Sequence, residues 1–309
     1  MTLLTGRETG VLVIAATPFD ATGGLDLDAT DRLVEWYLER GVSGLTILGQ
    51  MGEAAKLTVE EQLAFARRVL ARVAGKVPVV VGATAPGFAS IVALARDVAE
   101  AGAAGVMVAP PGNLRGDDSV LAWCCELDRS LGHIPWVLQD FPLAGGPPMS
   151  AALLRRIAEV CPSLVTLKHE DWPGLDKISE LRAQERAGAR RLGILVGNGG
   201  LFLPLELLRG ADGAMTGFAF PEMLVDVCRL VAEGREEAAL DLFDLYLPLL
   251  RYEQQPGIGL VVRKLILHRR GALACPFVRA PAAKLTGETR AEVERLLARL
   301  ERRLAATHG

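Results

Sequence analysis

The stretch LVTLKHED, residues 164–171, joins an apolar run to a lysine and three further polar residues. Seven other short runs are similarly rich in valine, isoleucine, leucine or other apolar residues. They are GVLVIAAT (10–17), GLTILG (44–49), VPVVVGA (77–83), GVMVAPP (105–111), PWVLQDFP (135–142), RLGILVGN (191–198) and GAMTGFAF (213–220). Near-continuous apolarity is typical of parallel strands that are covered on both faces. The runs therefore predict eight parallel strands.

The segments between these runs carry apolar residues at helical spacing. Thr58 and Ser150 each precede such a segment, where their hydroxyls can cap a helix. Eight strand and helix units in succession predict an α/β protein, a closed (β/α)₈ TIM barrel. An open, doubly wound sheet is the structural alternative, although it usually has fewer strands and needs a topological switch point.

The pattern changes to helices alone after Phe220. We therefore predict a barrel at residues 1–221 and a C-terminal helical extension at residues 222–309. The apolar stripes of the extension are expected to pack on the outer ring of the barrel or on another subunit.

Composition excludes several classes of function. The formal net charge of -3 and the absence of a basic block argue against a nucleic acid partner. No apolar run approaches the roughly 18 to 20 residues that cross a bilayer, which argues against a membrane partner. The first ten residues lack the pattern of an export signal, and five cysteines without CxxC spacing indicate reduced thiols. These features predict a cytoplasmic protein.

Lys168 lies at the carboxyl end of the sixth predicted strand, where barrel enzymes place their active sites. Strand alternation predicts that Leu164, Thr166 and Lys168 face the barrel interior, whereas His169 faces the helices. An amine in an apolar interior is disfavoured in its charged form, and a neutral amine can form an imine with the ketone of a 2-oxo acid. The alternative is a lysine whose ammonium group reaches out to solvent.

Two glycine-containing turns are candidate binding elements. In GQMGE, residues 49–53, Gly49 and Gly52 bracket a turn whose Gln50 and Met51 N–H groups could hold a carboxylate. The GNGG stretch, which starts at Gly197, could contact substrate hydroxyls or a phosphate through backbone N–H groups. An ordinary loop is the alternative interpretation for each turn.

Several motifs together resemble the dihydrodipicolinate synthase and N-acetylneuraminate lyase family along nearly the entire chain. They are TPF (17–19), GQMGE (49–53), QDFP (139–142), the lysine at 168 and GAMTG (213–217). The resemblance implies a Schiff base at Lys168, a pyruvate-type carboxylate on the Gln50 and Met51 amides, and a homotetramer or dimer. It implies no metal and no organic cofactor, because the substrate itself forms the covalent imine.

The chain departs from the pattern of this family at several positions, among them Pro111 and Gly112 in place of two tyrosines and Ala144 in place of an arginine. Gln50 and Met51 replace two hydroxyl residues, and Gln139 replaces the tyrosine that relays protons. None of the three tyrosines of the chain is expected at the barrel mouth. The Gln-Asp-x-Pro segment resembles the branch that dehydrates 2-keto-3-deoxy sugar acids, so we predict a lyase, aldolase or dehydratase, of small 2-oxo acids.

We predict Lys168, Gln139 and Glu170 as catalytic residues. The predicted substrate-binding residues are Gly49, Gln50, Met51, Glu53, Gly197 and Met215. Glu170 is the candidate general acid and base if alternation continues past Lys168, and Asp171 is expected to cap the following helix.

Three alternatives for function are a true dihydrodipicolinate synthase, a non-catalytic sugar-acid binder, and a metal enzyme that uses His169, Glu170 and Asp171. Consecutive residues of a regular strand point in different directions, which argues against the metal enzyme.

Overall fold

The computed structural model describes residues 2–307. Across these residues, eight parallel strands pair in sequence order and close into a barrel, which confirms the predicted fold class. The strands are β1 (Gly10–Ile14), β2 (Gly44–Ile47), β3 (Val79–Gly82), β4 (Gly105–Val108), β5 (Trp136–Asp140), β6 (Leu164–His169), β7 (Gly193–Val196) and β8 (Gly213–Ala214). The strands are shorter than the apolar runs, because the chain leaves the sheet to form the loops of the barrel mouth.

Eleven α-helices accompany the strands within residues 2–307. They are α1 (Leu27–Glu39), α2 (Val59–Val73), α3 (Phe88–Glu100), α4 (Asp117–Leu131), α5 (Ala151–Val160), α6 (Leu175–Arg186), α7 (Leu203–Leu208), α8 (Pro221–Ala232), α9 (Glu236–Glu253), α10 (Gly259–Arg269) and α11 (Gly287–Thr307). None of them combines the length and the apolar character that a bilayer crossing requires.

Local sequence explains where helices begin. Thr58 accepts a hydrogen bond from the Glu61 N–H, and the Glu61 carboxylate accepts one from the Thr58 N–H, which completes a capping box before α2. Ser150 caps α5 by accepting from the Leu153 N–H. Both predicted caps are therefore present.

Two apolar layers hold the barrel. Side chains that point between the sheet and the helices form a large outer core, and a smaller cluster fills the lumen. Leu12, Ile14, Leu195 and Met215 belong to the lumen cluster. The lumen below the mouth is therefore packed and apolar.

A register shift between β5 and β6 changes the predicted alternation at the start of β6. Trp136 pairs with Leu164, but Val137 pairs with Thr166, so one residue of β6 is skipped. Leu164 consequently packs in the outer core and Val165 against the lumen cluster, contrary to the prediction. Beyond the shift, Lys168 lines a cavity at the barrel mouth, and the Leu167 side chain packs in the outer core.

The helix that follows β8 completes the ring. Helix α8 packs against α7 and β1, and the extension continues with α9, which contacts α8 and α11. The division into a barrel at residues 1–221 and an extension at residues 222–309 stays a prediction. Helix α8 begins at Pro221, so this division assigns nearly all of α8 to the extension.

Candidate active site

Lys168 lies at the carboxyl end of β6 with only 6% of its surface exposed. It lines a cavity of about 110 Å³ at the barrel mouth, which we call the catalytic cavity. Its Nζ lies 3.0 Å from Oε2 of Glu170, and both side chains are buried. The amine therefore faces an enclosed space beside a carboxylate that is close enough to exchange a proton with it.

Glu170 is fixed by Gln139 of β5 and by Asn198 in the turn that follows β7. Gln139 Nε2 donates to Oε2 of Glu170 at 2.7 Å, and the Asn198 N–H donates to Oε1 at 3.3 Å. The Asn198 amide also donates to the Glu170 carbonyl at 2.9 Å. The structure thus brings Lys168, Gln139 and Glu170 together, and it adds Asn198, which sequence reasoning treated only as part of a glycine turn.

Gly197 contributes to this arrangement through its lack of a side chain. A Cβ at this position would lie 2.2 Å from Oε1 of Glu170, too close for both groups to fit. Its N–H donates to the His169 carbonyl at 2.9 Å. The absence of a side chain at Gly197 therefore leaves the space in which the Glu170 carboxylate lies beside Lys168.

The turn after β2 forms a second wall of the catalytic cavity. Gln50–Gly52 is a 3₁₀ turn, and Gly49, Gln50 and Met51 line the cavity. The first N–H groups of a 3₁₀ turn have no acceptor within the turn, so the N–H groups of Gln50 and Met51 are available to a ligand. The Thr17 hydroxyl donates to the Gly52 carbonyl at 2.6 Å and ties the turn to the end of β1.

Glu53 ends this turn but lies outside the lining of the catalytic cavity. Its Oε1 accepts from Lys264 at 2.5 Å, and its Oε2 accepts from Lys56 and from the Arg279 N–H, each at 3.0 Å. Its backbone has a φ of 57°, which is uncommon for a residue with a Cβ. The ion pairs therefore hold the turn in place. Met215, also predicted to bind substrate, is fully buried in the lumen cluster.

A wider cleft of about 710 Å³ adjoins the catalytic cavity. The two spaces share Gly49, Gln50 and Gln139 as lining residues. Half of the other lining residues of the cleft come from β3, β4 and helices α2 and α3, and the rest, including Glu53, lie in the segments that follow β2, β3 and β4. The cleft provides room for the part of a ligand that extends beyond Lys168.

The side chains on either side of Glu170 diverge from it. His169 Nε2 lies 3.1 Å from the Gly174 carbonyl, and Asp171 accepts from Lys177 at 2.6 Å. The three residues proposed for a metal enzyme therefore do not converge, and no group of three or more metal-type ligands occurs within residues 2–307. The predicted cap is wrong: α6 starts after Gly174 without a side-chain cap, because the Asp171 carboxylate binds the Lys177 ammonium group instead.

Two residues of the helical extension also line the catalytic cavity. They are Gln254, which ends α9, and Arg263 in α10. Sequence reasoning missed both. The available signal was the pair Arg263-Lys264 within the apolar stretch GLVVRKLIL, because two adjacent charges in a buried helix need partners.

A further cavity, about 1130 Å³, lies outside the barrel between the α6–α7 side and α9. Trp172, Phe202 and Glu206 are among its lining residues. Burial, together with the nearby charge of Glu170, raises the pKa of Glu206 to about 8. This residue therefore carries a proton at neutral pH.

The fold and the site together define a (β/α)₈-barrel enzyme with a buried lysine and carboxylate pair at the mouth. The chain belongs to the dihydrodipicolinate synthetase family, whose profile matches residues 7–300. It is accordingly a lyase, as the names of its relatives indicate.

Three relatives define what the chain is similar to. L-2-keto-3-deoxyarabonate dehydratase of Azospirillum brasilense is 31% identical over 96% of each chain. A 4-hydroxy-tetrahydrodipicolinate synthase of Xanthomonas campestris pv. campestris is 32% identical over 75% of each chain. The crystal structure of dihydrodipicolinate synthase from Rhodopseudomonas palustris superposes with a TM-score of 0.95 at 48% identity, covering 97% of this chain and all of the other.

Proposed function

We propose that the protein is an imine-forming lyase that dehydrates a small 2-keto-3-deoxy sugar acid. The observation that carries this proposal is the buried Lys168 amine, 3.0 Å from a carboxylate that Gln139 and Asn198 hold in place. The similarity to a 2-keto-3-deoxyarabonate dehydratase along nearly the whole chain supports the choice of substrate class.

The first step is the formation of the imine at Lys168. Glu170 takes a proton from the ammonium group, and the amine then adds to the C2 carbonyl of the substrate. The carbinolamine oxygen receives a proton and leaves as water, so the products are one iminium ion and one water molecule. Glu170 is positioned for both proton transfers because its Oε2 lies next to Nζ.

The substrate carboxylate is proposed to bind at the turn after β2. The N–H groups of Gln50 and Met51 begin a 3₁₀ turn beside Gly49, and all three residues line the catalytic cavity. Backbone N–H groups can bind an anion without side-chain hydroxyls, so the replacement of the hydroxyl residues usual in the family is compatible with binding.

The dehydration step uses the iminium as an electron sink. Glu170 removes a proton from C3, and the resulting enamine expels the C4 hydroxyl group. The protonated Glu170 returns its proton to that hydroxyl, which leaves as water and forms the C3–C4 double bond. One residue serves as base and then as acid, so no tyrosine relay is needed. Gln139 cannot titrate, and we assign it the role of orienting Glu170.

The location of the tyrosines favours this reaction over that of a synthase. Tyr37 is buried in α1, and Tyr246 and Tyr252 lie in α9. The position at β5 where the family usually has a tyrosine holds Gln139. A dihydrodipicolinate synthase is therefore the second candidate, supported by the names of several relatives but not by this site.

We further propose that the chain forms a homo-oligomer and acts in the cytoplasm without a metal or organic cofactor. Trp172, Phe202, Leu205 and Leu208 are each about 40% exposed, and Trp172 and Phe202 line the cavity of about 1130 Å³ outside the barrel. Such apolar exposure favours a contact with a second copy of the chain. Light scattering of the purified protein measures the assembly, and a monomer at micromolar concentration would contradict it.

A panel of 2-keto-3-deoxy acids and 4-hydroxy-2-oxo acids tests the proposed reaction. Dehydration yields a deoxygenated oxo acid without pyruvate, whereas aldol cleavage yields pyruvate. Lys168→Arg is expected to abolish turnover, and Lys177→Arg is the matched control because Lys177 binds Asp140 and Asp171 outside the catalytic cavity. Release of pyruvate from every substrate would contradict the assignment as a dehydratase, and binding without turnover would indicate a non-catalytic binder.

A further inference from the structure

The helical extension reaches into the catalytic cavity with two hydrogen-bond donors. Arg263 of α10 and Gln254 at the end of α9 line this cavity together with Lys168. Both residues belong to the segment that was expected only to pack against the outer ring or another subunit. The barrel therefore does not form the cavity alone.

Arg263 has one nitrogen without a partner. Its Nε donates to Glu253 Oε1 at 2.5 Å, and its Nη2 donates to the Gly217 carbonyl. Its Nη1 is buried and has no hydrogen-bond partner, and the whole residue is only 2% exposed. Buried donors in folded proteins are nearly always paired, so an unpaired guanidinium nitrogen at a cavity indicates an acceptor that a ligand supplies.

Gly217 leaves space for this nitrogen. A Cβ at Gly217 would lie 2.2 Å from Nη1 of Arg263. Thr216 and Gly217 line the same cavity at the end of β8. The absence of a side chain at Gly217 therefore allows the Arg263 guanidinium to pack against the loop after β8 at the catalytic cavity.

Gln254 also has an unpaired nitrogen next to a glycine, in this case at the loop after β7. Its Nε2 is buried and without a hydrogen-bond partner. Gly199, whose φ of +70° favours glycine, lies against it, and a Cβ there would be 2.3 Å from this nitrogen. Two residues that each carry an unpaired donor thus line one side of the cavity, near the loops that follow β7 and β8.

The charges in the site indicate what kind of acceptor these donors bind. Glu253 is fully buried and already balances the charge of Arg263. A second anion is therefore not needed at Arg263, and the carboxylate of the substrate has its own proposed place on the turn at Gln50. A neutral hydroxyl oxygen fits both an unpaired guanidinium nitrogen and an unpaired amide nitrogen.

We propose that Arg263 and Gln254 bind hydroxyl groups on the part of the substrate beyond the 2-oxo acid group. This inference rests on the proposed function, because it assigns the specificity of that same site. It makes the extension responsible for distinguishing a hydroxylated acid from pyruvate, which has the 2-oxo acid group alone.

The test compares borohydride trapping at Lys168 with two ligands, pyruvate and 2-keto-3-deoxyarabonate. The double variant Glu253→Gln/Arg263→Met removes both buried charges together, so that no carboxylate is left unpaired. We expect the concentration for half-maximal trapping to rise about 10- to 100-fold for the sugar acid and less than about threefold for pyruvate. Gln254→Ala, at a half-buried residue, should raise it about three- to tenfold for the sugar acid.

Arg270→Met is the matched control, because Arg270 follows α10 but binds Glu222 and Ala219 outside the cavity. Equal shifts for both ligands, or no shift in folded variants, would overturn the inference. If the double variant does not fold, the inference is tested by Gln254→Ala, through the ratio of the half-maximal trapping concentrations for the two ligands. Absence of trapping in the unmodified protein would contradict both the proposed function and this inference. Trapping in the variants with an unchanged ratio of the half-maximal concentrations for the two ligands would contradict the inference alone.

Discussion

Replacement of Glu170 by glutamine should slow turnover strongly and still permit imine formation at Lys168. The amide has nearly the shape of the carboxylate, and Gln139 can rotate its own amide to accept where it now donates at 2.7 Å. The fold around β6 should therefore be kept. What is lost is the only group that the proposed reaction uses to carry protons to and from C3 and C4.

The magnitude follows from that role. General acid and base catalysis by one positioned side chain contributes about 10²- to 10⁴-fold, which is roughly 3 to 5 kcal/mol of the barrier. We expect this fall in kcat with little change in KM, because Glu170 acts on the reacting atoms. The Lys168 amine is retained in this variant, so the imine should still form, although more slowly than when Glu170 moves the protons.

The assay combines steady-state kinetics on a 2-keto-3-deoxy sugar acid with borohydride trapping of the same variant. Asp171→Asn is the matched control, because this neighbouring carboxylate binds Lys177 and should affect kcat by less than about threefold. A Glu170→Gln enzyme with nearly normal kcat would refute the role of Glu170. Loss of trapping along with turnover in a folded variant would instead place the main contribution of Glu170 at imine formation and not at C3 and C4.

Three further predictions concern stability and are measured by urea unfolding. Because burial raises the pKa of Glu206 from 4.5 to about 8, the folded state keeps a proton that the unfolded chain releases, and stability falls as pH rises between these values. Glu206→Gln should therefore stabilise the protein by up to about 4 kcal/mol near pH 8 and by almost nothing near pH 4, and a pH-independent difference would contradict this. Lys264→Met leaves the buried Glu53 carboxylate with only Lys56 and the Arg279 N–H as partners and should cost about 3 to 5 kcal/mol, whereas a loss below about 1 kcal/mol would show that the pair is dispensable. Thr58→Ala removes the cap of α2 and should cost about 1 kcal/mol, with an unchanged midpoint as the contrary result.

The barrel could be predicted because its signal is local. Each strand is a short apolar run, and eight such runs separated by helical patterns have few alternative arrangements. Alternation also gave the direction of the side chains at the end of β6, where Lys168 and Glu170 meet. It failed at Leu164 and Val165, because a register shift depends on the partner strand and not on the sequence of β6 itself.

The outer part of the site could not be predicted from the chain. Arg263 and Gln254 reach the cavity only because α9 and α10 fold back over the loops after β7 and β8, and no local pattern specifies that path. Glu53 stays a predicted substrate-binding residue, but the sequence did not indicate that Lys264, from a distant part of the chain, binds its carboxylate. Contacts between residues far apart in sequence depend on how the helices pack.

The most direct measurement is the mass of the Lys168 peptide after the protein is treated with pyruvate and borohydride. We expect one reduced pyruvyl group, attached to that lysine, and none on the protein with Lys168→Arg. An unmodified peptide under conditions that saturate the site, or a label on another lysine, would contradict the claim that this buried amine forms the imine.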